Sequence, residues 1–219
     1  MKNTAFIHAV LWGLLASLVA PPAACAQDSL CPWQELEDYS QQVLDDSLIN
    51  AIHQGKLDLV QKAICRGANP NTVDTQGNAP LHRAISIAET DIIQLLLRVN
   101  ARINKADSSG KTPLHFAADT TIAKILLDAG ADIHSPNKYG YTPLHSAVAT
   151  VRMDVLKFFI DKGANVNTAD TIVGSSPLDE ATSTGFLPEM VRVLIDGHAD
   201  FSLLTRAQGY RGFGGSAGG

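Results

Sequence analysis

Cysteine, aromatic residues and charge are all scarce in this chain, and each shortage removes a class of protein. Its three cysteines, Cys25, Cys31 and Cys65, form no C-x-x-C pair, no H-E-x-x-H or Walker loop occurs in the 219 residues, and Gly214-Gly215-Ser216-Ala217-Gly218 spells G-x-S-x-G only inside a glycine run, without the strand and helix patterns that motif requires on either side. Catalysis, metals and cofactors therefore have no local signature. Charged residues make up 18% of the chain, 17 basic against 22 acidic, for a net −5. An acidic chain without a basic stripe lacks the electrostatic footprint of a nucleic-acid binder. Beyond position 26 no apolar run approaches the ~20 residues that a membrane helix needs, and no Asn-x-Ser/Thr acceptor is present.

What is present starts with a leader. Residues 1–26 carry one charge, Lys2, then an apolar stretch from Ala5 to Ala20, then Pro21-Pro22 and the small-residue site Ala24-Cys25-Ala26. This pattern predicts a secretory signal peptide cleaved near Ala26, and a periplasmic or secreted chain. A second reading is a lipoprotein acylated on Cys25, the only case in which a membrane enters, and the site lacks the leucine that such sites resemble at the third position before the cysteine. Loss of the leader leaves Cys31 and Cys65, which in an oxidising compartment suggest one disulfide, with two unconnected thiols as the alternative.

The strongest signal is a phrase nearly repeated: Ala79-Pro80-Leu81-His82, Thr112-Pro113-Leu114-His115, Thr142-Pro143-Leu144-His145 and a decayed Ser176-Pro177-Leu178-Asp179, with leucines 33, 30 and 34 residues apart. A second phrase keeps step with it, in Gly67-Ala68-Asn69, Asn100-Ala101-Arg102, Gly130-Ala131-Asp132, Gly163-Ala164-Asn165 and His198-Ala199-Asp200. A period near 33 carrying these phrases resembles the ankyrin repeat. The resemblance implies an all-α solenoid of about five helix-turn-helix repeats with β-hairpin tips. The expected bounds are 47–73, 74–106, 107–136, 137–169 and 170–201, within an array at 47–201. An arm with a short acidic cap helix precedes it at 27–46, where Trp33, Leu36 and Val43 are placed against the first repeat. A flexible glycine-rich tail follows at 202–219.

Each phrase has a mechanical reading. Proline suits the first position of a helix, and Thr112 and Thr142 just before it are N-cap candidates. The glycines, Asn100 and His198 stand where the second helix ends and the backbone turns left-handed. The third repeat is three residues short, and the loss is placed at the inter-helix turn near Asp119, leaving the groove open there. The fifth gains one residue near Ile172-Val173 and another near Leu187-Pro188.

The in-phase histidines His82, His115 and His145 tempt a metal assignment. Equivalent residues of stacked repeats form a ladder ~10 Å apart, whereas ligands of one zinc all lie ~2 Å from it. They read as structural, and Asp179 as a local replacement for the histidine. No catalytic, cofactor-binding or metal residue is expected. The resemblance implies a partner protein on the tips and first-helix face. By register these include Ser86, Asp119, Lys138, Tyr139, Tyr141, Ile172 and Val173, with the two tyrosines and the Ile-Val tip as the best anchors. The expected function is a non-enzymatic periplasmic binding module, an immunity or inhibitor protein or an accessory of a periplasmic enzyme. The alternative is an envelope spacer without a specific partner.

Two outcomes of mass spectrometry on the exported chain follow. Its N-terminus should be Gln27, and its mass should fall short of the reduced form by two hydrogens, for a Cys31–Cys65 bond. An acylated Cys25, or two alkylatable thiols, contradicts one or the other.

Overall fold

The computed structural model describes residues 40–183 and 188–200. Nine α-helices and one 3-10 turn form there, without any strand among the described residues. They come in pairs: α1 (Gln41–His53) with α2 (Leu57–Cys65), α3 (Pro80–Ser86) with α4 (Thr90–Arg98), the 3-10 turn Pro113–Phe116 with α5 (Thr120–Asp128), α6 (Pro143–Ala149) with α7 (Met153–Asp161), and α8 (Pro177–Ser183) with α9 (Pro188–Asp196). First helices pack on first helices in one row, α1 on α3, α3 on the 3-10 turn, that turn on α6 and α6 on α8. In the second row α2 packs on α4 and α5 on α7.

The repeating phrase explains the first row. Leu48, Leu81, Leu114, Leu144 and Leu178 are all at most 1% exposed and form one continuous ladder. Three residues on, and so on the same helix face, stand Ala51, Ala84, Ala117, Ala147 and Ala181, all buried. These small side chains let neighbouring first helices approach closely. Leu96, Leu126, Phe159 and Leu194 fill the second row. Each second helix ends in a left-handed residue, at Gly67, Asn100, Gly130, Gly163 and His198, with φ between 63° and 98°. In each, the next residue's N–H returns to the carbonyl five positions back, as Ala131 does to Leu126 at 2.9 Å.

Successive repeats are also stitched by asparagine. Asn71 accepts from Arg102 N–H at 2.7 Å and its amide donates to the Asn100 carbonyl. Asn104 does the same to Asp132 and Gly130, and Asn167 to Asp200 and His198. At the start of the array, where no repeat precedes, α1 supplies the equivalent bonds from two side chains. Asp45 accepts from Asn69 N–H at 2.7 Å, and Gln41 donates to both Asp45 and the Gly67 carbonyl.

Several expectations are corrected. Residues 41–46 are not a separate element, because α1 runs unbroken from Gln41 through position 47, so the boundary drawn at 46/47 falls inside a helix. Val43 is 49% exposed and does not pack on the first repeat within the described residues; Trp33 and Leu36 lie outside those residues. Thr112 and Thr142 hold the N-cap position, yet neither hydroxyl caps the helix. The cap works backwards, with the imidazole of the third helical residue accepting from the N-cap residue's own N–H, at 3.0 Å in His115. Among the described residues the tips are tight turns, closed by bonds such as Asn137 N–H to the Tyr141 carbonyl at 2.8 Å, with no residue in a strand.

The three missing residues of the third repeat come out of its first helix, not out of the turn. That element has four residues where α3 has seven, while Ile87–Glu89 and Ala117–Asp119 connect with equal length. A shortened helix leaves carbonyls without partners. Arg152, from the next inter-helix turn, donates to the carbonyls of Phe116, at 3.2 Å, and Ala117. The gap is thus crossed by an arginine and not left open. Arg152→Met should lower unfolding free energy by about 1.5–3 kcal/mol, the range for hydrogen bonds from a charged donor, in urea titrations; an unchanged midpoint would mean these carbonyls have another solution.

Candidate functional site

Each tip is built around one carboxylate or amide. Asp74, Asp107 and Asn137 accept from the N–H groups two and four residues on, at 2.8 to 3.0 Å. Asp170 accepts from Ile172, Val173 and Ser175, because its tip holds one residue more. Adjacent tips are then hydrogen-bonded, Ser108 N–H to Gln76 carbonyl, Lys138 to Ser109 and Thr171 to Tyr139, the last at 2.9 Å. This contact leaves no room for a side chain: a Cβ on Gly140 would stand 2.6 Å from the Thr171 nitrogen.

The Tyr139–Thr171 bond brings the expected anchors side by side. Tyr139, Ile172 and Val173 are 49%, 63% and 73% exposed, and they are three of the six large hydrophobic side chains that the described residues expose. The other three, Val43, Val73 and Val151, lie on separate elements. Lys138 is exposed at the same tip. Tyr141 has a different setting: half-buried, its ring meets His145 edge-on at 5.2 Å. Burial, then the carboxylates of Glu180 and Asp170, push its phenol pKa up. Ser86 ends α3, with its hydroxyl on the Arg83 carbonyl. Asp119 is the N-cap of α5, accepting from Ile122 N–H at 2.8 Å. Neither belongs to the two-tip cluster.

The histidines connect these tips to the core. Nδ1 of His82, His115 and His145 accepts from the N–H three residues back, and Nε2 of His82 and His115 donates to the Lys111 and Tyr141 carbonyls of the following repeat. Nδ1 as acceptor and Nε2 beside a carbonyl assign the neutral Nε2–H form. The hydroxyls of Thr112 and Thr142 then donate to Nδ1 as well. His145 departs from the series, since its Nε2 is fully buried with no partner among the described residues. The carbonyl in the matching position, Ser175, belongs to the longer tip and accepts from Asp170 N–H at 2.9 Å. In the fifth repeat Asp179 accepts from Ser176 N–H and hydroxyl, the local half of the histidine's role.

Sequence reasoning missed the tip acids, Arg152 and the pair between Arg83 and Asp74 at 2.5 Å. The acids were findable, because Asp74, Asp107 and Asn137 each stand three residues before a tip glycine, in phase with the leucines. Among the described residues no three His, Cys, Asp or Glu side chains are grouped to hold a metal. No described helix is long and apolar enough to cross a membrane.

A family profile described as ankyrin repeats (3 copies) matches residues 48–137 and 119–204. That is most of the chain, which therefore belongs to the ankyrin-repeat family, whose members are generally non-enzymatic protein-interaction modules. Comparison with curated proteins gives no match.

Burial holds the three histidines below the ordinary 6.5, against the raising effect of the carbonyls they face. Their neutral form belongs to the fold, so the unfolded chain takes up protons first as pH falls. Stability should be complete above 6.5 and drop below it, by at most about 1.4 kcal/mol per pH unit for each histidine. At Asp74 burial raises the pKa, but the Asn78 N–H, the Arg83 guanidinium, the Asn78 amide and the Gln76 N–H outweigh it and hold it at about 2. Its own loss begins only below 3.8. Urea midpoints should therefore fall between pH 7.5 and 5; a flat profile there would show that the histidines titrate alike folded and unfolded.

Proposed function

We propose that the chain is an exported, non-enzymatic binding module of five stacked repeats with a helical N-terminal cap. It holds one partner protein on its fourth and fifth tips. The observation that carries this reading is the clustering of Tyr139, Ile172 and Val173 on two tips joined by a backbone hydrogen bond. A pre-ordered backbone presenting an aromatic and two branched aliphatic side chains has little entropy to lose on binding, and such anchors dominate interface energetics. Lys138 supplies a charge at the rim, and Tyr141 sets the tip's position through His145.

The leader, and a disulfide between Cys31 and Cys65, fit work outside the cytoplasm. Within that setting the module neutralises or supports an enzyme, as an immunity or inhibitor protein or an accessory subunit. Tyr139→Ala with Ile172→Ala should weaken partner binding by about 30-fold or more, the cost of truncating central anchors. The far-ultraviolet circular dichroism should not change, because both side chains are exposed. Wild-type affinity in this double variant, together with loss of binding in Ser86→Arg, would move the contact to the first-helix face.

A further inference from the structure

Among the described residues the array's first pair leaves a face without a neighbour. One side of α1 and α2 packs on α3 and α4. The other carries a cleft of about 420 Å3, with Ala51 and Ala63 as its buried floor, Val43 and Leu59 in its walls, and Lys62 and Arg66 along one edge. Among the described residues neither of these cations forms an ion pair. The nearby acid, Asp46, takes the Gln42 amide at 2.9 Å. Gln41 and Asp45 bond to the end of α2, and the open cleft has an apolar floor with Lys62 and Arg66 on its α2 edge and Asp46, Ser47, Asn50 and Gln54 on its α1 edge.

We propose that the chain's own residues 27–39 fill this cleft, with Trp33 and Leu36 on its floor. Three observations favour this occupant. The chain enters α1 beside its target, since the Gln41 amide bonds to the Gly67 carbonyl just past Arg66. The segment is long enough, because thirteen residues span ~20 Å as a helix and α2, at nine residues, is ~13 Å long. Its charge is complementary: it contains Asp28, Glu35, Glu37 and Asp38 and no basic residue, against Lys62 and Arg66. Pro32 stands where a helix can start, and Trp33 and Leu36 are spaced to share one face. A segment tethered this closely acts at millimolar effective concentration, which a separate protein rarely matches.

The test follows Trp33 fluorescence in the full chain carrying Trp12→Phe, which leaves Trp33 as its sole tryptophan. The expected result is blue-shifted emission, resistance to acrylamide and a monomer by light scattering. Val43→Arg should return quenching to that of an exposed indole with circular dichroism unchanged, because Val43 is half exposed. Lys62→Glu with Arg66→Glu should do the same without altering the cleft floor. A fully quenchable Trp33 in the parent overturns the proposal. So does protection that survives both variants, and so does protection lost on dilution as a dimer dissociates, which would assign the cleft to a second copy.

Discussion

A repeat of this chain has nothing to bury its leucine against except the next repeat. Leu81, Leu114 and Leu144 are each covered from both sides by neighbouring first helices, and a lone helix pair would leave its apolar stripe in water. Stability is therefore a sum over interfaces, and the register between repeats must be fixed by something more directional than apolar contact. Three sets of hydrogen bonds supply it: histidine to the next repeat's carbonyl, tip to tip, and asparagine across the far edge. Because the histidines work as neutral, buried groups, this directionality is tied to pH.

The irregular repeats show how the constraint is met when the sequence departs from its period. In the third, the lost turn of helix leaves carbonyls that Arg152 reaches from the following repeat, so the stack stays closed. In the fifth, the tip holds one residue more, Asp170 accepts from three of its N–H groups, and Ile172 and Val173 stand exposed.

Repeat position and helix ends were legible because they depend on local chemistry: proline at a helix start, leucine one step on, and a residue tolerant of positive φ at each close. Asn100 and His198 were assigned in that way without a glycine to mark them, and both have positive φ. What escaped depends on contacts between repeats. Nothing local says that Arg152 will replace a missing turn thirty-five residues upstream, or that the deletion falls in the helix and not beside Asp119. Nor does adjacency in sequence separate Tyr139 from Tyr141. Alternation along the tip turns one outward and the other onto His145, and only the packed structure distinguishes them. Cys31, like Trp33, lies outside the described residues, while Cys65 closes α2 at the end of the stack where the arm enters.

Binding at the two clustered tips is the claim on which the functional account rests, and site-specific photo-crosslinking in the living cell addresses it without a substitution that weakens binding. A photoreactive residue at position 139 or 172 should trap one protein, the same from both positions, while the same group at position 86 or 119 traps none. Adducts confined to 86 and 119, or different proteins from 139 and 172, would contradict it.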